Sequence, residues 1–340
     1  MNFNEILNQK EYEFLKTNEH LGKNICMLTL GGSLAYGTNL PGKGDVDIRG
    51  ITLERPKDLI GFGTFEQVVE NNTDTVIYGF NKMIKLLLGC NPNTIEILGC
   101  KPEHYFILTP EGKMLLDNKK LFLSKRAGFT FGAYASQQLN RMMNALARDR
   151  FSQGEKEEQI LRSLNAAMCS FNTRYNHFDY GNIQLFTDKT DRENFEKEIF
   201  ADISLKHFPV REFNGIMNEL SSIVRSYNKC SHRNHKKDDE HLNKHAMHLI
   251  RLYLMGIDLL EKEEINTYRE KDRDMLLDIR NGKYMADNGT YKEEFFVLQN
   301  ELKNRFDYAI ENTSLPEKPN FKEVEDLVFE VNNKIIKSIF

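Results

Sequence analysis

Two aspartates separated by one valine follow a glycine-rich segment near the start of this chain. Asp45 and Asp47 come shortly after the segment Gly31-Gly32-Ser33, which itself follows an apolar run. Alternate side chains of a strand project from the same face, so we expect both carboxylates in one small volume. Because two adjacent carboxylates repel each other, this arrangement favours a bound cation. Glycines and a hydroxyl group next to it can bring backbone N–H groups to phosphate oxygens.

A phosphate site beside a metal-binding carboxylate pair indicates nucleotidyl transfer. That chemistry commonly uses two Mg²⁺ or Mn²⁺ ions with carboxylate ligands, and a third carboxylate normally comes from a neighbouring strand. Asp74 is the best candidate because it is the lone acid in the β-prone segment 73–78. Glu70 and Glu96 are the rivals. We therefore predict that Asp45, Asp47 and Asp74 bind the metal and that Asp74 helps to deprotonate an acceptor.

Several basic side chains are placed to meet negative charge. Arg49 either neutralises the carboxylates within the protein or contacts a pyrophosphate leaving group. Lys244, His248 and Arg251 have the spacing of one helix face, inside a largely apolar helix. Their anionic partner is a triphosphate, an RNA backbone or acids of the N-terminal region, and a solvated basic edge is an equally good interpretation of the pattern alone.

The composition restricts the class of protein. The chain has 340 residues, 40% of them hydrophobic, and a formal net charge of −4, which favours about two globular domains. No apolar run is long enough to span a membrane, and the N-terminus has no signal-peptide pattern. The five cysteines are scattered without a CxxC pair, which predicts reduced thiols and a cytoplasmic location.

The pattern of apolar residues changes along the chain. Residues 1–115 alternate short strands and helices, which predicts an α+β domain with a small mixed sheet, whereas residues 116–340 predict a larger, all-helical domain. Strands are expected at 25–30, 45–52, 64–70 and 73–78. Helices are expected at 4–20, 79–88, 94–98, 127–150, 155–174, 190–201, 208–228, 240–262, 270–281, 291–312 and 321–339.

The glycine-rich segment and the aspartate pair together resemble the DNA polymerase β superfamily of nucleotidyltransferases. Within it, the chain is most similar to the predicted nucleotidyltransferase group that includes RNA-ligase-associated proteins. The resemblance continues over nearly the whole chain, which makes it far more specific than the aspartate pair alone. The matching stretches include Gly32-Ser33-x-Ala35-Tyr36-Gly37-Thr38, Asp45-Val-Asp47-Ile-Arg49-Gly50, Asn91-Pro92, Tyr134-Ala135, Lys244-x₃-His248-x₂-Arg251 and Ile279-Arg280-Asn281-Gly282.

The resemblance implies a polymerase-β-like fold and an NTP-dependent transfer of a nucleotide. It favours nucleotide binding by Gly32, Ser33, Tyr36, Thr38, Lys244, His248 and Arg251. We expect the acceptor to be a hydroxyl group on RNA, such as a tRNA-like or broken 3′ end. The alternatives are NMP transfer to a protein hydroxyl, as in toxin–antitoxin modules, and a catalytically idle module that binds a nucleotide or RNA.

Overall fold

The computed structural model describes residues 7–40, 46–150, 153–191, 197–231 and 239–337. Contacts divide the chain into two compact units. The first consists of Met1–Ser136, Met247–Ile279 and Glu294–Phe340, and the second of Gln137–Ala246 and Arg280–Glu293. These units differ from the predicted division at residues 115 and 116, because two C-terminal segments pack with the N-terminal one. The predicted domain boundary stays a prediction.

In the described part of the first unit, five strands form one mixed sheet. Its order is β3-β4-β2-β1-β5, with β2 and β4 parallel and the other neighbours antiparallel. The parallel pair matters for the site, because it brings the starts of two separate strands together. The strands are β1 (Ile25–Leu30), β2 (Ile48–Thr52), β3 (Gln67–Glu70), β4 (Thr75–Gly79) and β5 (Tyr105–Leu108).

Helices supply most of the remaining structure of both units. In chain order the α-helices are α1 (Phe14–Thr17), α2 (Gly32–Tyr36), α3 (Pro56–Ile60), α4 (Phe80–Leu88), α5 (Pro92–Ile95), α6 (Pro110–Asp117), α7 (Arg126–Arg150), α8 (Gln153–Tyr175), α9 (Phe213–Ser231), α10 (Asp239–Lys262), α11 (Arg273–Arg280), α12 (Glu293–Asn312) and α13 (Phe321–Lys337). The α+β class is therefore confirmed. No helix of the described ranges is both long and apolar enough to cross a bilayer.

The sheet packs against residues that precede it in the chain. Leu28, Ile48 and Ile77 are fully buried and belong to one apolar cluster with Tyr12 and Leu15. The predicted helix over 4–20 is wrong in its described part, which contains a 3₁₀ turn at Lys10–Tyr12 and the short helix α1. The two apolar side chains nevertheless reach the core, so the buried positions of this segment were predicted better than its backbone.

The second unit contains a β-hairpin where the sequence pattern predicts helix. The strands are β6 (Gly181–Lys189) and β7 (Lys197–Leu205), paired antiparallel from Gly181↔Leu205 to Lys189↔Lys197. The prediction of a helix at 190–201, and of an all-helical C-terminal region, is therefore wrong. Ile199 and Ile203 have a helix-like spacing of four, yet Ile203 is 52% exposed. The alternating pair Ile183 and Leu185 forms the buried face of the hairpin.

Candidate active site

The Gly31-Gly32-Ser33 turn connects the buried strand β1 to the short helix α2. Gly31 is extended, with φ −118° and ψ −174°. Gly32 has φ +56°, and Gly37 ends the helix with φ +75°. The Gly31 N–H donates to the main-chain oxygen of Asp47 at 2.8 Å. The predicted strand and turn are present, the short helix after them was not predicted, and the turn is tied directly to the second aspartate of the pair.

Both glycines make room for side chains of the aspartate segment. A Cβ atom at Gly31 would lie 2.8 Å from Cγ of Arg49, and a Cβ atom at Gly32 would lie 1.5 Å from Oδ2 of Asp47. Since β2 begins at Ile48, Asp47 precedes the strand rather than lying in it. Asp45 lies outside the described residues, so its placement beside Asp47 stays a prediction.

Asp74 lies next to Asp47 because of the register of two parallel strands. Ile48 of β2 pairs with Thr75 of β4, so each aspartate immediately precedes its strand. Neighbouring strands are about 4.8 Å apart. The Ile48 N–H also donates to the main-chain oxygen of Asp74 at 3.4 Å. The sheet therefore brings together two of the three predicted carboxylate residues.

The backbone of Asp74 is not that of a strand residue. Its φ is +41°, a left-handed conformation that residues other than glycine adopt rarely, although asparagine and aspartate do so more often than most. Arg49 holds it there. One guanidinium nitrogen, Nη2, donates to Oδ1 of Asp74 at 3.2 Å, and Nη1 donates to the main-chain oxygens of Asp74 and Ile48. The expectation that Asp74 lies within a strand is corrected: it ends the turn before β4.

The oxygen donors present suit a hard divalent cation. The carboxylates of Asp47 and Asp74 are the ligand type that Mg²⁺ and Mn²⁺ prefer, and the close approach of Asp47 to Gly32 gives the turn an acidic surface. Within the described ranges, no group of three or more His, Cys, Asp or Glu side chains could hold a metal ion. A three-carboxylate site therefore requires Asp45, and the metal site stays a prediction.

Glu96, a rival for the third carboxylate, has a different environment. It is 7% exposed and accepts hydrogen bonds from the Tyr36 hydroxyl at 2.9 Å and from Nη1 of Arg251 at 3.1 Å. Glu70, the other rival, accepts from the Asn72 N–H in its own turn at 3.1 Å. Neither contact brings these acids to Asp47, whereas the sheet register does so for Asp74.

Tyr36 and Arg251 are packed against each other inside the first unit. The guanidinium carbon of Arg251 lies 3.6 Å from the centre of the Tyr36 ring, and the two residues are 5% and 4% exposed. Burial raises the pKa of Tyr36, so its hydroxyl stays protonated as a donor to Glu96. The anionic partner of Arg251 in this structure is Glu96, one of the alternatives that the sequence left open. Contacts of Tyr36 and Arg251 with a nucleotide stay a prediction.

The other predicted nucleotide-binding residues have contrasting environments. Ser33 is partly exposed and Thr38 is fully buried, so Thr38 does not present its hydroxyl group at the surface. His248 is partly buried, with its ring centre 6.0 Å from that of Tyr36 in an edge-to-face arrangement. Lys244 is exposed and belongs to the second unit. The shared helix spacing therefore does not give Lys244, His248 and Arg251 a shared environment.

Sequence reasoning missed the residues that brace the far end of helix α2. The Arg269 N–H donates to the main-chain oxygen of Tyr36 at 3.2 Å, and Nε of Arg273 donates to that of Gly37 at 2.8 Å. The Tyr268 ring covers Gly37, where a Cβ atom would come within 2.6 Å of it. These contacts join positions more than 230 residues apart, and no local pattern could indicate them.

Comparison with known proteins gives a family match for the N-terminal part of the chain. Residues 5–159 match the RlaP family, described as the RNA repair pathway DNA polymerase beta family. The match covers this part of the chain alone and fits a polymerase-β superfamily nucleotidyltransferase, as the resemblance in the sequence predicted. No curated protein and no solved structure matches the chain.

Proposed function

We propose that this chain is a metal-dependent nucleotidyltransferase that transfers an NMP from an NTP to a hydroxyl group on RNA. One observation carries the proposal: Asp47 and Asp74 immediately precede adjacent parallel strands, and the Asp47 carboxylate lies against Gly32 of the glycine-rich turn. The family match supports the reaction class, and the description of that family as an RNA repair pathway family supports RNA as the acceptor.

In this proposal Asp45, Asp47 and Asp74 hold Mg²⁺ or Mn²⁺, and Gly32 and Ser33 contact the triphosphate. A bound metal ion supplies Lewis-acid stabilisation of the charge that develops on the phosphate oxygens. The acceptor oxygen bonds to the α-phosphorus, the bond from that phosphorus to the pyrophosphate oxygen breaks, and pyrophosphate leaves. Asp74, whose side chain is 57% exposed, is accessible to the acceptor and takes its proton. Catalysis then consists mainly of positioning and charge neutralisation.

Labelling tests both the reaction and the acceptor. The full-length protein is incubated with each α-³²P-labelled NTP, with Mg²⁺ or Mn²⁺, and with either total RNA or total protein. Label in RNA, lost when the terminal ribose is first oxidised with periodate, supports transfer to a 3′ end. Label in protein and not in RNA would show that the acceptor is a protein and would overturn RNA as the acceptor. Absence of label under every condition would overturn the proposed activity.

Two variants that each remove one carboxylate charge from the site, and a third that removes one elsewhere, test whether the activity depends on the site. We expect Asp47→Asn and Asp74→Asn to lower the transfer rate about 100-fold or more, the scale of losing one preorganised electrostatic group. Asp117→Asn is the matched control, because this aspartate lies in the same unit, is 59% exposed and pairs only locally with Lys113 in the described contacts. Circular dichroism checks that all three are folded. Wild-type rates in folded Asp47→Asn would contradict the assignment.

A further inference from the structure

Helix α9 has apolar side chains on two neighbouring faces. On one face, Ile216 and Ile223 are 2% and 6% exposed and belong to the apolar cluster of the second unit. The other face is largely exposed, and we call its members the apolar stripe. They are Val210 in the turn before the helix, which is 86% exposed, Phe213 at 36%, Met217 at 44%, Leu220, which is partly buried, and Val224 at 55%. Exposed apolar side chains that are grouped together mark interaction sites, whereas scattered ones do not.

The spacing within the stripe is that of a contact between two helices. Phe213, Met217, Leu220 and Val224 follow one another at intervals of four, three and four residues. This alternation is that of the d and a positions of a coiled coil, whose side chains interlock with those of a second helix. The stripe is therefore shaped for another helix rather than for an extended strand.

The positions that flank the stripe are uncharged as well. In a coiled coil, the e and g positions border the seam of a and d residues and set which partner is accepted. Here the e positions are Asn214 and Ser221, and the g positions are the buried Ile216 and Ile223. Such a surface offers no cation to an RNA phosphate, and an identical surface placed against it meets no like charge.

We propose that the apolar stripe joins two copies of the chain, with their α9 helices antiparallel about a two-fold axis. The stripe is self-complementary in this orientation, because its intervals of four, three and four residues are the same in both directions. Phe213 of one copy then lies against Val224 of the other, and Met217 lies against Leu220. One helix face of this length buries less than the about 800 Å² per partner of a standard interface, so we expect a weak dimer.

Sedimentation equilibrium of the full-length protein under reducing conditions tests the dimer. We expect a monomer–dimer equilibrium between about 1 and about 200 µM protein. Met217→Lys puts a charge into the seam and should raise the dissociation constant about tenfold or more. Val297→Lys is the matched control, because Val297 is 48% exposed on helix α12 of the first unit, and it should dimerise as the wild type does. Circular dichroism checks that both variants are folded.

Disulfide cross-linking tests the orientation of the two helices. Phe213→Cys and Val224→Cys are prepared separately in a protein whose Cys169 and Cys230 are replaced by serine. An antiparallel pair brings these two positions together only between different variants. Under mild oxidation, a mixture of the two variants should therefore form a cross-linked dimer, and neither variant alone should do so.

Three outcomes would overturn the inference. They are a wild-type protein that is monomeric at every concentration, an equal loss of dimer in Met217→Lys and Val297→Lys, and cross-linking of either cysteine variant by itself, which would indicate parallel helices. A dimer in sedimentation without any cross-link in the mixture would place the interface elsewhere and would overturn it too. None of these measurements uses nucleotide, so their failure leaves the proposed function intact.

Discussion

At the scale of single residues, the two glycines of the turn make room for the side chains of Arg49 and Asp47, whether or not a ligand is bound. Gly31 accommodates Cγ of Arg49, and Gly32 accommodates the carboxylate of Asp47. In this structure the Gly-Gly pair therefore packs directly against Asp47 and Arg49. This explains why glycine is required at both positions even before a phosphate is considered.

Gly32→Ala tests this packing. We expect it to lower the free energy of unfolding by about 2–3 kcal/mol, since alanine is disfavoured at positive φ by about 1–2 kcal/mol and its methyl group would overlap Asp47. Asp47→Ala removes the two closest atoms, so Gly32→Ala should cost less in that background. Urea denaturation of both single variants and the double variant measures the difference. Equal costs in the two backgrounds would contradict the packing.

Asp74 provides a second test at the same scale. Glycine adopts φ +41° without strain, so Asp74→Gly should leave the free energy of unfolding within about 1 kcal/mol of the wild type, because the gain offsets the lost pair with Arg49. Transfer activity should nevertheless fall as far as it does in Asp74→Asn. Urea denaturation and the labelling assay measure the two properties. A stable and fully active glycine variant would remove Asp74 from the catalytic set.

At the scale of elements, a buried carboxylate caps helix α4. Oε1 of Glu54 accepts a hydrogen bond from the Asn81 N–H at 2.8 Å in the first turn of this helix, and Glu54 is only 4% exposed. Burial raises the pKa of Glu54, and the hydrogen bond from Asn81 opposes that shift only in part. The N-terminus of helix α4 is therefore capped by a carboxyl group whose ionised form is costly to bury.

Glu54→Gln should make the protein less sensitive to pH. A pKa that is higher in the folded state means that Glu54 contributes stability below its unfolded pKa and that this contribution is lost as the pH rises through the folded pKa. Glutamine keeps an oxygen acceptor for Asn81 and carries no charge. The variant should therefore gain stability relative to the wild type as the pH rises above the unfolded pKa of glutamate, about 4.3.

Melting temperatures across this pH range measure the effect. The exposed Glu103 supplies the control substitution, Glu103→Gln, which should follow the wild-type pH profile. A difference between Glu54→Gln and the wild type that stays constant from acid to neutral pH would contradict the raised pKa of Glu54.

At the scale of the whole molecule, a buried ion pair connects distant parts of the chain within the first unit. Arg251 of helix α10 contacts both Glu96 and the Tyr36 ring, and the paired residues are 155 positions apart. Arg269 and Arg273 add bonds to the end of helix α2. The segment that carries the glycine-rich turn is thus held in place by residues from the C-terminal half.

Arg251→Met should be strongly destabilising. It leaves the buried Glu96 without its cation, and breaking a buried pair in this way costs about 3–5 kcal/mol. Lys244→Met on the exposed surface of the same helix is the control and should change the free energy of unfolding by less than about 0.5 kcal/mol. Denaturant titrations of both variants make the comparison. In the double variant Glu96→Gln/Arg251→Met the loss should be smaller than the sum of the single losses, and strict additivity would argue against the pair.

The sequence by itself determined strand β1, the turn that follows it and most helices, because these features depend on short patterns, and its resemblance to the polymerase-β superfamily is supported by the family match over residues 5–159. Buried strand β1, the Gly-Gly-Ser turn and the Asp-x-Asp spacing all fall within about 25 consecutive residues, and local periodicity predicts such elements well. The same local reasoning failed for the hairpin of β6 and β7, where pairing between two segments of the chain stands in place of the helix predicted at 190–201.

Only the tertiary structure decided which residues meet. The parallel register of β2 and β4 places Asp74 beside Asp47, and Arg49 then holds its left-handed backbone. Arg251 turned out to be the buried partner of Glu96. Such contacts depend on strand register and on packing between residues far apart in the chain, and the spacing of residue types along one helix or one loop carries no information about either.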